Sequence, residues 1–151
     1  MIEHQKYRAV LDTNIIIAAL KSKNPKSPNL ELLHRFQNDE FVLLYNDYLL
    51  SEYQEKFFTR KVNNELALGF IADLLVSGEK VEIEADEIKP VVLNDPDDDV
   101  VVACAVVGKA THLVTYDPHL LELGEEYEGI IILDGLHFLY AVRGDVKPEE
   151  G

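Results

Sequence analysis

Apolar residues fall along this chain in two kinds of run. Four short ones, "YRAVL" (7–11), "FVLLY" (41–45), "HLVTY" (112–116) and "IIIL" (130–133), are nearly continuous and show no alternation. That pattern predicts strands buried on both faces. Between them lie longer stretches whose apolar residues recur every three or four positions, as an amphipathic helix requires. "NIIIAAL" turns into a helix directly after Asp12. In "LELLHRFQN" (30–38), Leu30, Leu33 and Phe36 or Gln37 share a face, with Asn29 as the expected cap. Asn46 or Asp47 caps a segment whose stripe is Leu49, Leu50, Tyr53 and Phe57. "NNELALGFIADLLVSG" (63–78) reads as a helix stopped at Ser77-Gly78, "HLLEL" (119–123) as a short one and "GLHFLYAV" (135–142) as a closing one. "KSKNPKSPN" (21–29) carries two prolines and reads as loop. "VEI" (81–83) is a weak strand. "VVVACAVV" (100–107) fits two readings: its β-branched residues favour strand, while the aspartates before it and its alanines suit a helix packed closely on a sheet. Strands alternating with helices predict an α/β fold, a parallel sheet covered on both faces.

Composition narrows the class. The chain has 151 residues, 47% of them hydrophobic, enough for one domain with a real core. No apolar run approaches the roughly 20 residues that span a bilayer, so no membrane partner is expected. "MIEHQKYRAVLDTN" lacks the zones of a secretion signal. Cys104 is the single cysteine and sits in an apolar run, which suits a core filler and a reducing cytoplasm. The formal charge of −14 argues against simple non-specific nucleic-acid binding. It is uneven, however. Residues 13–30 hold Lys21, Lys23 and Lys26 and no acid, whereas residues 82–99 hold eight acids and one lysine.

The acids carry the chemistry. Ligand sites in open α/β sheets form outside the carboxyl ends of the strands. Asp12 ends the first predicted strand and Asp117 follows "HLVTY". Glu52 lies in the first turns after "FVLLY", beside the apolar stripe. Asp95, Asp97, Asp98 and Asp99 stand where the segment 100–107 begins. Taken singly, Asp12 and Asp117 read as helix caps, Glu52 as a half-exposed helix residue, and the aspartate cluster as caps and solvated charge. Together they bring carboxylates from four segments to one edge of one sheet. Converging carboxylates cannot all stay ionised without a neutralising partner. A hard divalent cation, Mg²⁺ or Mn²⁺, prefers oxygen ligands and shares its shell with phosphate. Zinc is disfavoured, because the five histidines show no ligand spacing. Neither GxxxxGK[ST] nor GxGxxG occurs, so no nucleotide cradle is expected.

"LDTNIII", "LLSEYQEKF", "DPDDDVVVACAV" and "LVTYD" occur in the order and spacing of the PIN-domain ribonucleases, and the chain resembles that family from Tyr7 to about Leu139. The likeness is greatest to the toxin components of toxin–antitoxin systems. The resemblance implies an α/β/α sandwich with a mostly parallel sheet of about five strands, and helix for residues 100–107. It makes Asp12, Glu52, Asp98 and Asp117 the family's acids. Asp98 takes the third place because that acid precedes a small-residue pair by a fixed step, here Ala103 and Ala105, with Asp97 or Asp99 as the alternative register. Asn14 and Thr115 match its polar helpers. Asp12, Asp98 and Asp117 would hold Mg²⁺ or Mn²⁺, and Glu52 would complete the shell or orient water. The implied activity is endoribonuclease cleavage leaving a 5′-phosphate and a 3′-hydroxyl. An antitoxin protein and a homodimer are the implied partners. Lys21, Lys23 and Lys26 are candidate RNA contacts.

The nuclease domain is expected over residues 1–143, followed by a charged tail, 144–151. An aspartyl-phosphate phosphatase would want an acid two residues past Asp12, where Asn14 stands, and a receiver domain would want paired acids ahead of it. The alternative from another class is a PIN-like module that binds RNA or protein without cutting, which the strong negative charge keeps open.

Overall fold

The computed structural model describes residues 6–145. Residues 146–151, most of the expected charged tail, lie outside the described residues. The described chain forms, in order, β1 (Arg8–Leu11), α1 (Thr13–Lys21), α2 (Pro28–Gln37), β2 (Val42–Tyr45), α3 (Asp47–Thr59), α4 (Asn64–Ser77), β3 (Glu79–Lys80), α5 (Asp98–Val107), β4 (His112–Val114), α6 (Pro118–Leu121), β5 (Glu126–Tyr127), β6 (Ile130–Leu133) and α7 (Gly135–Arg143). The strands make one sheet in the order β3-β2-β1-β4-β6-β5. Every pairing is parallel except β5 with β6.

The continuous apolar runs form strands because both sides of the sheet are covered. Ala9, Leu43 and His112 stand in register on adjacent strands, as do Val10, Leu44 and Leu113. Successive residues point to opposite faces. His112 meets Phe138 of α7 at a ring separation of 4.9 Å, so α7 covers the first set. Leu44 lies against Gly108 at the end of α5, so α5 covers the second. The result is an α/β/α sandwich, and all of Ala9, Val10 and Leu11 are fully buried.

Residues 100–107 are helix, the core of α5. Their β-branched preference yields to burial, since Val101, Val102, Cys104 and Ala105 pack into the core in that form. The sheet has six strands rather than about five. The extra one, β5, folds back on β6 through Glu128 (φ 52) and Gly129 (φ 80), a two-residue turn with both central residues left-handed, whose twist matches a hairpin. The weak strand expected at 81–83 lies two residues earlier, as β3. There, Arg8 from β1 pairs with both oxygens of Glu79 and bonds the Gly108 carbonyl. Helix α2 is capped by Ser27 and not by Asn29. Asn29 is instead buried, accepting a bond from the Tyr116 hydroxyl at 3.1 Å. Gly135 is required beside it, because a Cβ there would lie 2.1 Å from Asn29 Oδ1. Among the described residues, no helix is long and apolar enough to cross a membrane.

Candidate active site

From β1 the chain crosses to β2 on one side, and from β4 it crosses to β6 on the other. The connections therefore diverge between β1 and β4, and their carboxyl ends flank an open crevice, the place where this class of sheet builds its sites. Asp12 and Thr115 are the first residues past those ends. The ladder continues through both, Asp12 N–H bonding Val114 O and Thr115 N–H bonding Leu133 O, each at 2.9 Å.

Asp12 caps α1 and is 5% exposed. Its Oδ1 accepts from Thr13 N–H at 2.9 Å and its Oδ2 from the Thr115 hydroxyl at 2.8 Å. Burial pushes its carboxyl above the usual range, those two bonds oppose the shift, and the charges of Glu52 and Asp117 add to it. Thr115 joins two acids, for its oxygen also accepts from Asp117 N–H at 2.9 Å. Asp117 in turn caps α6, accepting from His119 N–H at 2.9 Å. The Thr13 hydroxyl donates to Glu52 and ties α1 to α3. The neighbouring Tyr53 hydroxyl donates to Leu11 O at 2.6 Å and seats α3 on β1.

The three consecutive aspartates diverge. Asp97 is exposed. Asp99 is buried and turns back into the fold, where one oxygen accepts from Val91 N–H at 3.0 Å and Val92 N–H at 2.7 Å. Asp98 turns to the crevice. Its Oδ2 is buried without a hydrogen-bond partner. One oxygen each from Asp95, Asp98 and Asp117 lie within 4.8 Å of one another. Burial first, then the shared proton and charge of Asp117, with Asp12 and Asp95 behind, push the Asp98 carboxyl up to about 9. Such a set of carboxylate oxygens, one of them orphaned, fits a hard divalent cation, which would satisfy the orphan and displace the proton.

Asp12, Glu52, Asp98, Asp117 and Thr115 thus lie around one crevice. Asn14 is exposed on the first turn of α1 and makes no hydrogen bond from its side chain among the described residues, while the adjacent Thr13 holds Glu52. Among the described residues, none of Lys21, Lys23 and Lys26 forms an ion pair with a carboxylate. Lys21 ends α1, about 12 Å along the axis from Thr13 at 1.5 Å per residue. Sequence reasoning left Asp95 among the caps and solvated charge, yet it reaches the crevice from the preceding turn. Thr13 and Tyr48 were passed over. Tyr48 lies one turn before Glu52, and its phenol is pushed far up by burial and by the charges of Glu52, Asp97 and Asp98. His119, whose Nδ1 is buried without a partner, was missed as well. The tyrosine had a signal, since it lies four residues before Glu52 on one helix face.

The family model described as PIN domain matches residues 8–119. The chain therefore belongs to the PIN-domain family. Two solved structures share its fold. PAE2754 from Pyrobaculum aerophilum aligns with a TM-score of 0.60 at 15% identity, covering 93% of this chain and all of that one, 100%. VapBC2 from Rickettsia felis, bound to a DNA fragment from their promoter, aligns with a TM-score of 0.53 at 14% identity, covering 83% of this chain and 96% of that one. At such identities the likeness is one of fold. No curated protein matches in sequence.

Proposed function

We propose that the protein is a divalent-metal-dependent endoribonuclease and serves as the toxin of a toxin–antitoxin pair. The observation that carries the enzymatic reading is the orphaned, buried Oδ2 of Asp98 among the oxygens of Asp95 and Asp117. Asp98 and Asp117 would hold Mg²⁺ or Mn²⁺, with Asp95 and Asp12 beside them. A bound ion of that kind supplies an activated water and offsets the charge that develops on a phosphate under attack.

The chain's own residues supply the positioning. Thr115 fixes Asp12 and Asp117 relative to each other from a single hydroxyl. Thr13 holds Glu52 across the crevice, where its carboxylate can accept a proton from the attacking water. Burial of Asp12 and Thr115 keeps bulk water from competing for their hydrogen bonds. The toxin role is supported by the likeness of "LDTNIII" and "DPDDDVVVACAV" to that branch of the family, and by the shared fold of VapBC2.

The test is cleavage of a labelled RNA pool by purified protein with Mn²⁺, Mg²⁺ or EDTA, beside Asp12→Asn and Asp98→Asn. Metal-dependent cutting lost in both variants is the expected result. Equal faint cutting by wild type and variants would mark a contaminant. Neither cutting nor metal binding would leave a non-catalytic RNA- or protein-binding module as the better account.

A further inference from the structure

Helix α5 has two apolar faces. Val101, Cys104 and Ala105 form one, fully buried in the core. Asp99, Val102, Ala103, Val106 and Val107 follow the same three- and four-residue spacing and form the other. That second stripe floors a cavity of about 430 Å³. Two further segments wall it: the turn Ala85–Glu87 with Lys89 after it, and Tyr127 and Glu128 of the β5–β6 hairpin. Val106 is left 40% exposed, so the rest of the fold does not seal the stripe. None of Asp12, Glu52, Asp98 and Asp117 lines this cavity, which is distinct from the crevice.

One charge is set deep in it. Asp99 is 7% exposed, and its Oδ1 is satisfied by the Val91 and Val92 amides. Its Oδ2 accepts no hydrogen bond among the described residues and, unlike the Oδ2 of Asp98, is not sealed off. The cavity is where Asp99 opens. A carboxylate oxygen at the base of an apolar hollow calls for a donor of opposite charge. Three more acids, Asp86, Glu87 and Glu128, stand around it against one cation, Lys89. Lys89 Nζ donates to Asp86 O at 2.9 Å and pairs with no acid among the described residues. Apolar walls concentrate a field of one sign, so the occupant is a cation. It is not a metal ion. Among the described residues the one set of ligand atoms close enough for a metal is that of Asp95, Asp98 and Asp117, and valines supply no oxygen ligands. The volume is that of a small-molecule site, mostly apolar with few polar groups.

We infer that this cavity binds a small organic cation, an apolar body bearing one ammonium or guanidinium group, with the head on Asp99 Oδ2 and the body on the valine stripe of α5 beside Tyr127. The inference stands apart from the nuclease reading, since neither the metal nor RNA enters it.

The test is a titration of the whole chain, labelled with ¹⁵N and kept in EDTA, followed by amide chemical shifts. The probes are hexylamine, phenethylamine and phenethylguanidine, each beside its neutral match, hexanol, phenethyl alcohol and phenethylurea. At least one cation should bind about ten-fold or more tightly than its match, moving the amides of Val91, Val92 and residues 102–107. Asp99→Asn keeps an acceptor for the Val91 and Val92 amides and removes the charge, and it should forfeit that preference. Glu87→Gln with Glu128→Gln, both away from the core, should weaken the cation about two-fold or more and leave the neutral match unchanged. Cations that bind no better than their matches, or none that bind, would overturn the inference. So would shifts confined to Asp12, Thr115 and Asp117, which would place the amine in the crevice. Binding of a capped leucine–arginine–leucine peptide but of none of the small cations would give the cavity to a protein partner and overturn it as well. Loss of RNA cutting under every metal, with the cation preference intact, would remove only the nuclease.

Discussion

Replacing Asp98 by asparagine should stabilise the metal-free protein while abolishing its activity. The carboxyl sits in the crevice with one oxygen buried and unpartnered, and its pKa is raised from 3.8 to about 9. The folded chain therefore holds a proton that the unfolded chain releases above about pH 4. Where the folded state binds more protons, stability falls as pH rises. This penalty is absent below pH 4, grows through neutrality and is complete above about pH 9. Unscreened, a shift of that size would correspond to about 7 kcal/mol at 1.36 kcal/mol per unit. Water reaching the open side of the carboxyl screens most of it, leaving on the order of 1–2 kcal/mol at pH 7. For a chain of this length that is about 2–8 °C in Tm. Differential scanning calorimetry in EDTA, from pH 5 to 8.5, should show the variant melting higher than wild type by that margin, with the gap widening as pH rises. The same proton must leave before a cation can enter. Wild-type metal affinity should therefore climb close to ten-fold per pH unit below 9, and the variant's should not. A variant that melts at or below the wild-type temperature, with the same pH slope, would refute this account of the crevice.

Asp99→Ala should have the opposite sign. It strips the acceptor from the Val91 and Val92 amides and should cost about 2–3 kcal/mol in urea melts, with faster proteolysis of residues 88–97. Gly135→Ala places a methyl on Asn29 Oδ1 and should cost at least about 2 kcal/mol; adding Asn29→Ala should recover part of it, a coupling that a double-mutant cycle reads directly. The Cys104 thiol, buried and pushed up to about 12, should react with a thiol reagent only as fast as the protein unfolds.

Legibility in the sequence differs from residue to residue. Asp12 and Asp117 were legible because each ends an apolar strand and begins a helix, and that step alone puts a side chain at the sheet's carboxyl edge. Asp98 could not be separated from its neighbours on the same ground. Successive helix residues turn by about 100°, so one of three adjacent aspartates faces the crevice, and only the packing of Val101 and Val102 decides which. Asn14 and Thr13 pose the same problem across one residue, and there the bond to Glu52 falls to Thr13. Asp95 was illegible for another reason, since it enters from a turn whose path is set by the Asp99 bonds to residues 91 and 92. The β5–β6 hairpin escaped notice because Glu128-Gly129 lacks the asparagine or aspartate that usually marks such a turn.

Both borders of the sheet are two-residue strands, β3 and β5, and three of their four side chains are charged: Glu79, Lys80 and Glu126. A neighbouring polypeptide seeking to extend the sheet finds a ledge too short to hold it and is met by charge. The apolar strands within, which would make effective templates for fibrils, are shut inside by these narrow margins. Lengthening β3 through Val81–Ile83 with Glu82 replaced by valine would widen that ledge and remove a charge from it, and we expect such a variant to lose its shelf life in concentrated solution well before it loses its fold.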